Sequence, residues 1–325
     1  MRFGKIEFLN LLPFDMFIKS YPLPSRFKQS LFAKSSYPAK LNQSFLFNRI
    51  DAGFISSIAG VESHRKLNGK YATKSGIIAK GAVWSVLVRH ASPKADFQSD
   101  TSNALSKVLD IKGEVLIGDK ALLWLYKNFY QNPPSSQKLP SSQKLKGSQN
   151  PQNPQHLQNL QTKQDFTKKD SKPKSKIPQQ CLSNATHTNA TKTTPDYANP
   201  THENSTSYTD MGKKWFEKTR LPFVFGRLCC AKKYAKFYTK ISHSFNASHN
   251  AHHNAAQAKI PHFWLVRQSK KIGIPPSFAK EYLKHIYYKI GTKEHLGILR
   301  FFRSLRLLGI KPPKRNYKKA QKYEK

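Results

Sequence analysis

A polar, low-complexity stretch divides this sequence in two and limits how much of it can fold. From Gln131 to about Asp210 the chain consists largely of Gln, Asn, Ser, Thr, Pro and Lys, with a short duplication, SSQKLP followed by SSQKLK. A segment of this composition cannot bury enough apolar surface to offset the entropy lost on ordering. We therefore expect residues 131–210 to be a disordered insertion within an ordered protein.

The segments on either side of this stretch carry the pattern of an α/β fold. Residues 4–8 alternate apolar and charged side chains as a strand does, and Pro13 suits the first turn of a following helix. Short apolar runs at 51–57 and 115–122 predict further strands that lead into helices. We also expect strands at 25–32, 74–78, 81–88 and 221–228, and helices at 13–19, 38–50, 99–109, 211–218, 277–290 and 293–308.

Small polar residues stand at the ends of several predicted strands. Asn10 follows the first strand and offers an amide with donors and an acceptor, Ser56 and Ser57 end a second strand, and Ser85 lies just inside another. In α/β folds, ligands bind at the carboxyl edge of the sheet. We interpret these residues as candidate ligand-binding groups, while helix capping by Asn10 and simple packing of Ser85 remain open alternatives.

Two predicted helix starts add further candidates. Thr101 and Ser102 lie at the start of a helix capped by Ser99 or Thr101, where free N–H groups favour a carboxylate or phosphate. At the second start, Gly118 permits close approach to the backbone and Asp119 is a candidate N-cap. Each start could equally be a capped helix without a ligand.

The net charge of +38, from 56 Lys and Arg against 18 Asp and Glu, raises the question of nucleic-acid binding. The basic residues are spread over nearly every segment, and the 131–210 stretch contributes only ten Lys against five acids. No RNP-type strand, Cys/His finger or recognition helix accompanies them. We therefore expect no specific nucleic-acid partner, and a preference for anionic small molecules explains the charge equally well.

The cysteines and the apolar runs bear on location. Cys181, Cys229 and Cys230 offer no disulfide framework, since adjacent cysteines rarely pair with each other. Charged and polar residues interrupt the apolar residues near the N-terminus, and no run of 18 apolar residues follows. We expect a cytoplasmic protein without a membrane association.

A histidine-rich stretch at residues 243–258 is a predicted second, minor low-complexity insertion. His249 and His252 are spaced three residues apart, so a metal site there is an alternative. We expect no metal and no cofactor.

Six motifs, taken together, resemble the chorismate dehydratase family of the futalosine route to menaquinone. None of them is decisive alone, but they occur in the family's order across residues 1–130 and 211–230, with Ala82 in place of a usual proline. The motifs are FLNLLP at 8–13, DAGFISS at 51–57, GAVWS at 81–85, the Ser/Thr-rich helix start SDTS at 99–102, LIGDKAL at 116–122 and PFVF at 222–225.

This resemblance implies a two-lobed α/β fold of the periplasmic-binding-protein-like type 2 class, with the long insertion and a helical C-terminus. The chain would cross between lobes near residues 88–92 and 226–230, where Gly226 fits a hinge. The first lobe would comprise residues 1–90 plus 228–325, and the second 91–130 plus 211–227.

The resemblance also implies an activity, the conversion of chorismate to 3-[(1-carboxyvinyl)oxy]benzoate and water by a hydro-lyase. In the family proposal the substrate's own enolpyruvyl carboxylate takes the C3 proton. By position Asn10 and Ser85 match catalytic polar residues, and the other candidates would contact substrate: Ser56, Ser57, Thr101, Ser102, Gly118 and Asp119.

Two other functions remain open at this point. The first is 1,4-dihydroxy-6-naphthoate synthase, an enzyme of the same fold and pathway that should carry a histidine in its cleft, and no histidine lies in the matched motifs. The second is a protein that binds an anion without chemistry. The sequence carries no signal for an oligomeric state.

Overall fold

The computed structural model describes residues 1–31, 35–60, 69–131, 208–248 and 254–311. These residues form two β-sheets with helices packed around them. The strands are β1 (Phe3–Ile6), β2 (Ser35–Ser36), β3 (Ala52–Ser56), β4 (Lys70–Ala79), β5 (Val86–Arg89), β6 (Glu114–Ile117), β7 (Tyr208–Asp210), β8 (Phe223–Ala231) and β9 (Tyr287–Lys289).

The α-helices have apolar residues on the side that faces the sheets. They are α1 (Leu12–Ser20), α2 (Ser25–Leu31), α3 (Pro38–Leu46), α4 (Asp100–Leu109), α5 (Gly118–Leu125), α6 (Met211–Thr219), α7 (Ala235–Ser248), α8 (His262–Ile272), α9 (Pro276–Leu283) and α10 (Thr292–Leu307). Shorter turns of 3₁₀ helix lie at Leu9–Leu11, Lys232–Tyr234 and Ala255–Gln257, and a π-helical turn lies at Tyr126–Gln131.

The larger sheet, with the helices on it, forms the first lobe. Its six strands run in the order β2-β1-β3-β8-β4-β9, so strands from both ends of the chain alternate within it. β1 pairs in parallel with β2 and β3, whereas β8 pairs antiparallel with β3 and β4. α3 packs on β3 and α7 packs on β4. The first lobe therefore forms only when distant parts of the chain meet.

The smaller sheet forms the second lobe, with β5 between β6 and β7 and both pairings antiparallel. α4 and α6 pack together beside it, and α5 continues directly from β6. No helix in the part of the chain that the structure describes is long and apolar enough to cross a membrane.

The chain crosses between the two sheets at residues 80–85 and 220–222. The predicted crossings near 88–92 and 226–230 are wrong by several residues, and so are the lobe boundaries drawn from them. β5 already pairs with β6 and β7 from Val86 onward, and Gly226 is paired with Ser56 and Ile77 inside the continuous strand β8. Gly226 is therefore a mid-strand residue and not a hinge.

Other predicted elements differ as well. Residues 25–31 are helical because Pro24 O accepts the N–H groups of Phe27 and Lys28, which begins the helix. The predicted helix 277–290 ends at Leu283, because Tyr287–Lys289 pairs with β4 as an edge strand.

A further difference concerns the predicted insertions. Tyr208–Asp210, at the end of the 131–210 stretch, is strand β7, because Thr209 and Asp210 pair with β5. α7 extends to Ser248, into the predicted 243–258 insertion. Residues 132–207 of the long stretch lie outside the described residues, as do His249, His252 and His253.

Candidate active site

A cleft lies between the two lobes, with an empty volume, including its open mouth, of about 570 Å³. Both lobes and the first crossing contribute to its walls, which are mainly apolar. The lining residues are Ile6, Phe8, Asn10, Pro38, Phe54, Ser56, Ile77, Val83, Ser85, Val86, Ser99, Thr101, Ser102, Ile117, Gly118, Phe225 and Gly226.

Asn10 lies in the 3₁₀ turn that joins β1 to α1 and is 7% exposed. Its side chain caps no helix, because Leu11 holds the N-cap position of α1 and no side chain caps that helix. Its backbone carbonyl accepts a hydrogen bond from the Tyr288 hydroxyl at 2.6 Å. Its Oδ1 is buried without a hydrogen-bond partner among the described residues. Asn10 therefore presents an unused acceptor at the cleft.

Ser85 lies at the end of the first crossing, immediately before β5, and is 1% exposed. Its Oγ accepts a hydrogen bond from the Tyr282 hydroxyl at 3.0 Å, and its carbonyl accepts the Gly118 N–H at 2.7 Å. Because Oγ already accepts from Tyr282, the serine keeps its own proton for donation.

The turn before Ser85 is held from the second lobe by the Asp210 carboxylate. Its Oδ2 accepts the N–H groups of Val83 and Trp84 at 2.9 and 2.7 Å, and its Oδ1 caps α6 through Lys213 N–H at 3.0 Å. Burial raises the pKa of Asp210, although these donors act in the opposite direction. These contacts hold the turn in which Trp84, the residue before Ser85, has a left-handed φ of 58°.

Ser56 is held at the end of β3 by Asn42, a fully buried residue of α3. Asn42 Nδ2 donates to Ser56 Oγ at 2.7 Å, and Asn42 Oδ1 accepts the Ser56 N–H at 3.1 Å. Ser56 lines the cleft. Ser57 does not, because its Oγ donates to the Val224 carbonyl and the side chain is buried there.

The start of α4 faces the cleft through Ser99, Thr101 and Ser102. Ser99 is the N-cap, as one of the two sequence alternatives had it, and its Oγ accepts the Ser102 N–H at 3.1 Å. Thr101 Oγ1 accepts the Ile58 N–H at 3.3 Å, which ties α4 to the first lobe. The positive end of the helix dipole therefore points at the cleft from the second lobe.

Gly118 lines the cleft, but the group that approaches its backbone is Phe8. Gly118 has a φ of +57°, and a Cβ there would lie 2.7 Å from the Phe8 ring. The glycine is thus required by the packing of one lobe's aromatic ring on the other lobe's helix start.

Asp119 lies outside the lining of the cleft, and the prediction that it caps α5 is wrong, because Ile117 occupies that position. Instead, Asp119 Oδ1 accepts the Leu9 N–H at 3.1 Å, across the lobe boundary. Burial raises the pKa of Asp119 to about 6, against the opposing effects of the Leu9 N–H and Lys271. Asp119 is therefore a contact between lobes, made through Leu9, the residue before Asn10 in the chain.

Asp119→Asn should stabilise the protein at neutral pH. The folded-state pKa lies above the ordinary value of 3.8, so folding favours the protonated form and stability falls as pH rises from about 4 through 6. The amide keeps an acceptor for Leu9 and removes the cost of burying a charge. We expect a gain of about 1 to 2 kcal/mol at pH 7.5 and little gain at pH 4.5, measured by urea unfolding.

Glu217→Gln, which removes an exposed carboxylate, is the matched control and should show no such pH-dependent gain. An Asp119→Asn variant that is destabilised equally at both pH values would contradict the assignment of Asp119 as a carboxylate with a raised pKa.

The cleft carries no ionisable side chain among its lining residues. An anion bound there would be held by hydroxyl groups, the Asn10 amide and the α4 N-terminus. His285 contacts the first crossing, with its ring centroid 4.5 Å from that of Trp84. Burial lowers its pKa to about 4, so it is neutral at physiological pH, and it does not line the cleft.

Of the predicted site residues, the structure brings six together: Asn10, Ser56, Ser85, Thr101, Ser102 and Gly118. Sequence reasoning missed Asn42, Tyr282 and Tyr288, each of which holds one of these residues. The tyrosines lie in α9 and β9, where the apolar pattern predicts core packing and gives no signal of a site.

Two α/β lobes, joined by two crossings of the chain, enclose a cleft, which is the two-lobed α/β architecture predicted from the sequence. The chain is similar in fold to a crystal structure of a protein from Archaeoglobus fulgidus, with a TM-score of 0.53 at 9% identity, over 95% of this chain and 97% of that chain. It also matches the periplasmic aliphatic sulphonate binding protein SsuA from Escherichia coli, with a TM-score of 0.45 at 11% identity, over 99% and 96% of the two chains.

Sequence comparison is more specific. The family model described as menaquinone biosynthesis matches residues 197–306. The chain is 32% identical over 313 residues to the chorismate dehydratase of Campylobacter jejuni subsp. jejuni serotype O:23/36 (strain 81-176), an alignment that covers 95% of this chain and 100% of that relative. This chain belongs to the chorismate dehydratase family, which confirms the resemblance found in the sequence.

Proposed function

We propose that this protein is a chorismate dehydratase, a hydro-lyase that converts chorismate to 3-[(1-carboxyvinyl)oxy]benzoate and water in cytoplasmic menaquinone biosynthesis by the futalosine route. Family membership suggests the substrate. The observation that carries the proposal is the uncharged cleft between the lobes, which Asn10 lines with an unpaired acceptor and Ser85 lines with a hydroxyl that can donate.

The reaction requires two bonds to break on one ring. The C3–H bond gives its electron pair to the ring, the C4–O bond breaks with its electron pair on oxygen, and the departing hydroxyl becomes water with the proton that C3 has lost. The ring becomes aromatic, which supplies much of the driving force, so the protein chiefly has to hold one reactive geometry. The enolpyruvyl carboxylate of the substrate takes the C3 proton in this proposal, which fits a cleft whose lining residues offer no carboxylate or imidazole base.

Asn10 and Ser85 offer complementary hydrogen-bonding groups to the C4 hydroxyl. The hydroxyl proton can be donated to the unused Asn10 Oδ1, and the hydroxyl oxygen can accept from Ser85. The Ser85 donor then stabilises negative charge as the C4–O bond lengthens. Both groups are buried, so the interaction is little weakened by water.

The two carboxylates of chorismate suit the hydroxyls of the cleft and the α4 N-terminus. Ser56, Thr101 and Ser102 lie on facing lobes, and the positive end of α4 favours an anion beside them. Binding of the substrate would therefore draw the two lobes together without a lysine or arginine in the lining.

The test is incubation of the purified full chain with chorismate, followed by the diene absorbance and by mass spectrometry. We expect the diene absorbance of chorismate to disappear and a product lighter by one water to form. Chorismate that binds and survives would favour an anion-binding protein. Turnover of a later intermediate but not of chorismate would favour the 1,4-dihydroxy-6-naphthoate synthase.

A further inference from the structure

We propose that Tyr282 is a positioning residue that decides which of the two site residues donates a hydrogen bond and which accepts one. The inference rests on the proposed function, because it concerns how Asn10 and Ser85 meet the substrate. Tyr282 lies in α9, is 1% exposed, and does not line the cleft. Its hydroxyl donates to Ser85 Oγ at 3.0 Å. Burial raises the pKa of the phenol, and the Asn10 amide beside it acts to lower that pKa, as a hydrogen-bond donor does.

A neutral phenol has one proton to donate, and this count fixes the polarity of the site. The Tyr282 proton is used on Ser85, so Asn10 can bond to the phenol oxygen only through its NH₂ group. Asn10 Oδ1 is then left without a partner among the described residues. Ser85 in turn keeps its own proton for a ligand. The Tyr282 hydroxyl therefore leaves the Asn10 Oδ1 acceptor and the Ser85 O–H donor available to a ligand in the cleft.

The tyrosine stays in its neutral form because it is buried, and burial raises its pKa. A packing contact also connects α9, the helix that carries Tyr282, to the turn before Ser85. Phe278, one helical turn earlier in α9, stacks on Trp84 with ring centroids 5.2 Å apart, and Trp84 precedes Ser85 in the chain. Movement of α9 would therefore move the tyrosine and the serine together.

The second tyrosine of this region fixes the other partner. Tyr288 in β9 donates to the Asn10 carbonyl at 2.6 Å, which holds the backbone of the 3₁₀ turn. α9 and β9 lie outside all six sequence motifs, yet they supply the groups that orient both site residues. The pattern they create matches a substrate hydroxyl that gives one hydrogen bond and receives another.

The test is Tyr282→Phe in the full chain, which keeps the ring that packs in α9 and removes only the hydroxyl. We expect kcat for chorismate to fall about 10-fold with KM within about 3-fold, because substrate contacts remain while the donor is no longer aimed. Tyr238→Phe is the control. Tyr238 is buried, its hydroxyl has no partner among the described residues, and it does not line the cleft, so kcat should be unchanged.

A double-mutant cycle distinguishes positioning from structural damage. If Tyr282 acts largely through Ser85, Tyr282→Phe should lower kcat by less than about 3-fold in a Ser85→Ala background. An equal loss in both backgrounds, or an unchanged kcat in Tyr282→Phe, would overturn the role of Tyr282 while the parent chain still turns over chorismate. A parent chain with no turnover would instead refute the proposed function, and the role of Tyr282 with it.

Discussion

Replacement of Asn10 by alanine is expected to lower kcat for chorismate by roughly 100-fold or more. The change removes the buried, unused Oδ1 acceptor and also removes the amide group beside the Tyr282 hydroxyl. Both effects disturb the group that faces the C4 hydroxyl, whereas the hydroxyls that suit the carboxylates stay in place. We therefore expect the loss mainly in kcat, measured from the diene absorbance of chorismate.

Asn128→Ala provides a matched control, because Asn128 is exposed and its side chain only donates to the Trp124 carbonyl. It should retain parental turnover. An Asn10→Ala variant that folds normally and turns over within a few-fold of the parent would remove Asn10 from the mechanism.

Gly118→Ala is expected to reduce both stability and activity. The residue has a φ of +57°, and its new Cβ would overlap the Phe8 ring at 2.7 Å. Left-handed strain and displacement of a packed ring together cost about 2 to 4 kcal/mol in the free energy of unfolding. Phe8 lines the cleft and lies two residues before Asn10, so we expect kcat/KM to fall about 10-fold as well.

Gly309→Ala separates the two causes. Gly309 has a similar φ of +63°, but nothing lies within 4 Å of a Cβ placed there. Its free energy of unfolding should fall only by the cost of placing alanine in a left-handed backbone, about 1 kcal/mol, and its activity should be unchanged. Equal losses in the two variants, with unchanged kcat/KM for Gly118→Ala, would mean that contact with Phe8 does not shape the site.

The sequence predicted the parts of the site that lie in short, local patterns. Ser99 could be named as one of two candidate caps because hydroxyl and acid residues precede an apolar helical repeat. The helix that begins at Pro38 and the strand that ends at Ser56 followed from periodicity and turn residues. These elements are decided by neighbours in the chain, so residue order alone carries the information.

Residue order did not show in the same way which side chain at the end of β3 faces the cleft. Ser56 and Ser57 are adjacent, and consecutive residues of a strand point to opposite sides, so at most one could face the cleft from the strand. Residue order alone does not decide which of the two serines faces the cleft, and in the structure Ser57 donates to the Val224 carbonyl instead. Asp119 was misassigned for a related reason, since its partner, Leu9, is 110 residues away.

The supporting residues depend on contacts that are remote in the chain. Tyr282 is 197 residues from Ser85, and Tyr288 is 278 residues from Asn10. Tyr282 in α9 has the spacing of an ordinary core residue. The residues of β9 follow a helical apolar pattern, and only their pairing with β4 makes them a strand. Long-range pairing, which periodicity does not encode, decides both.

The most direct test of the central claim is a single-turnover reaction with the full chain in excess over chorismate, quenched and analysed by mass spectrometry. We expect the parent chain to convert chorismate to a product lighter by one water. The Asn10→Ala, Ser85→Ala double variant should bind chorismate but leave it unchanged over the same time. Equal conversion by the folded double variant would show that the dehydration does not occur at this cleft.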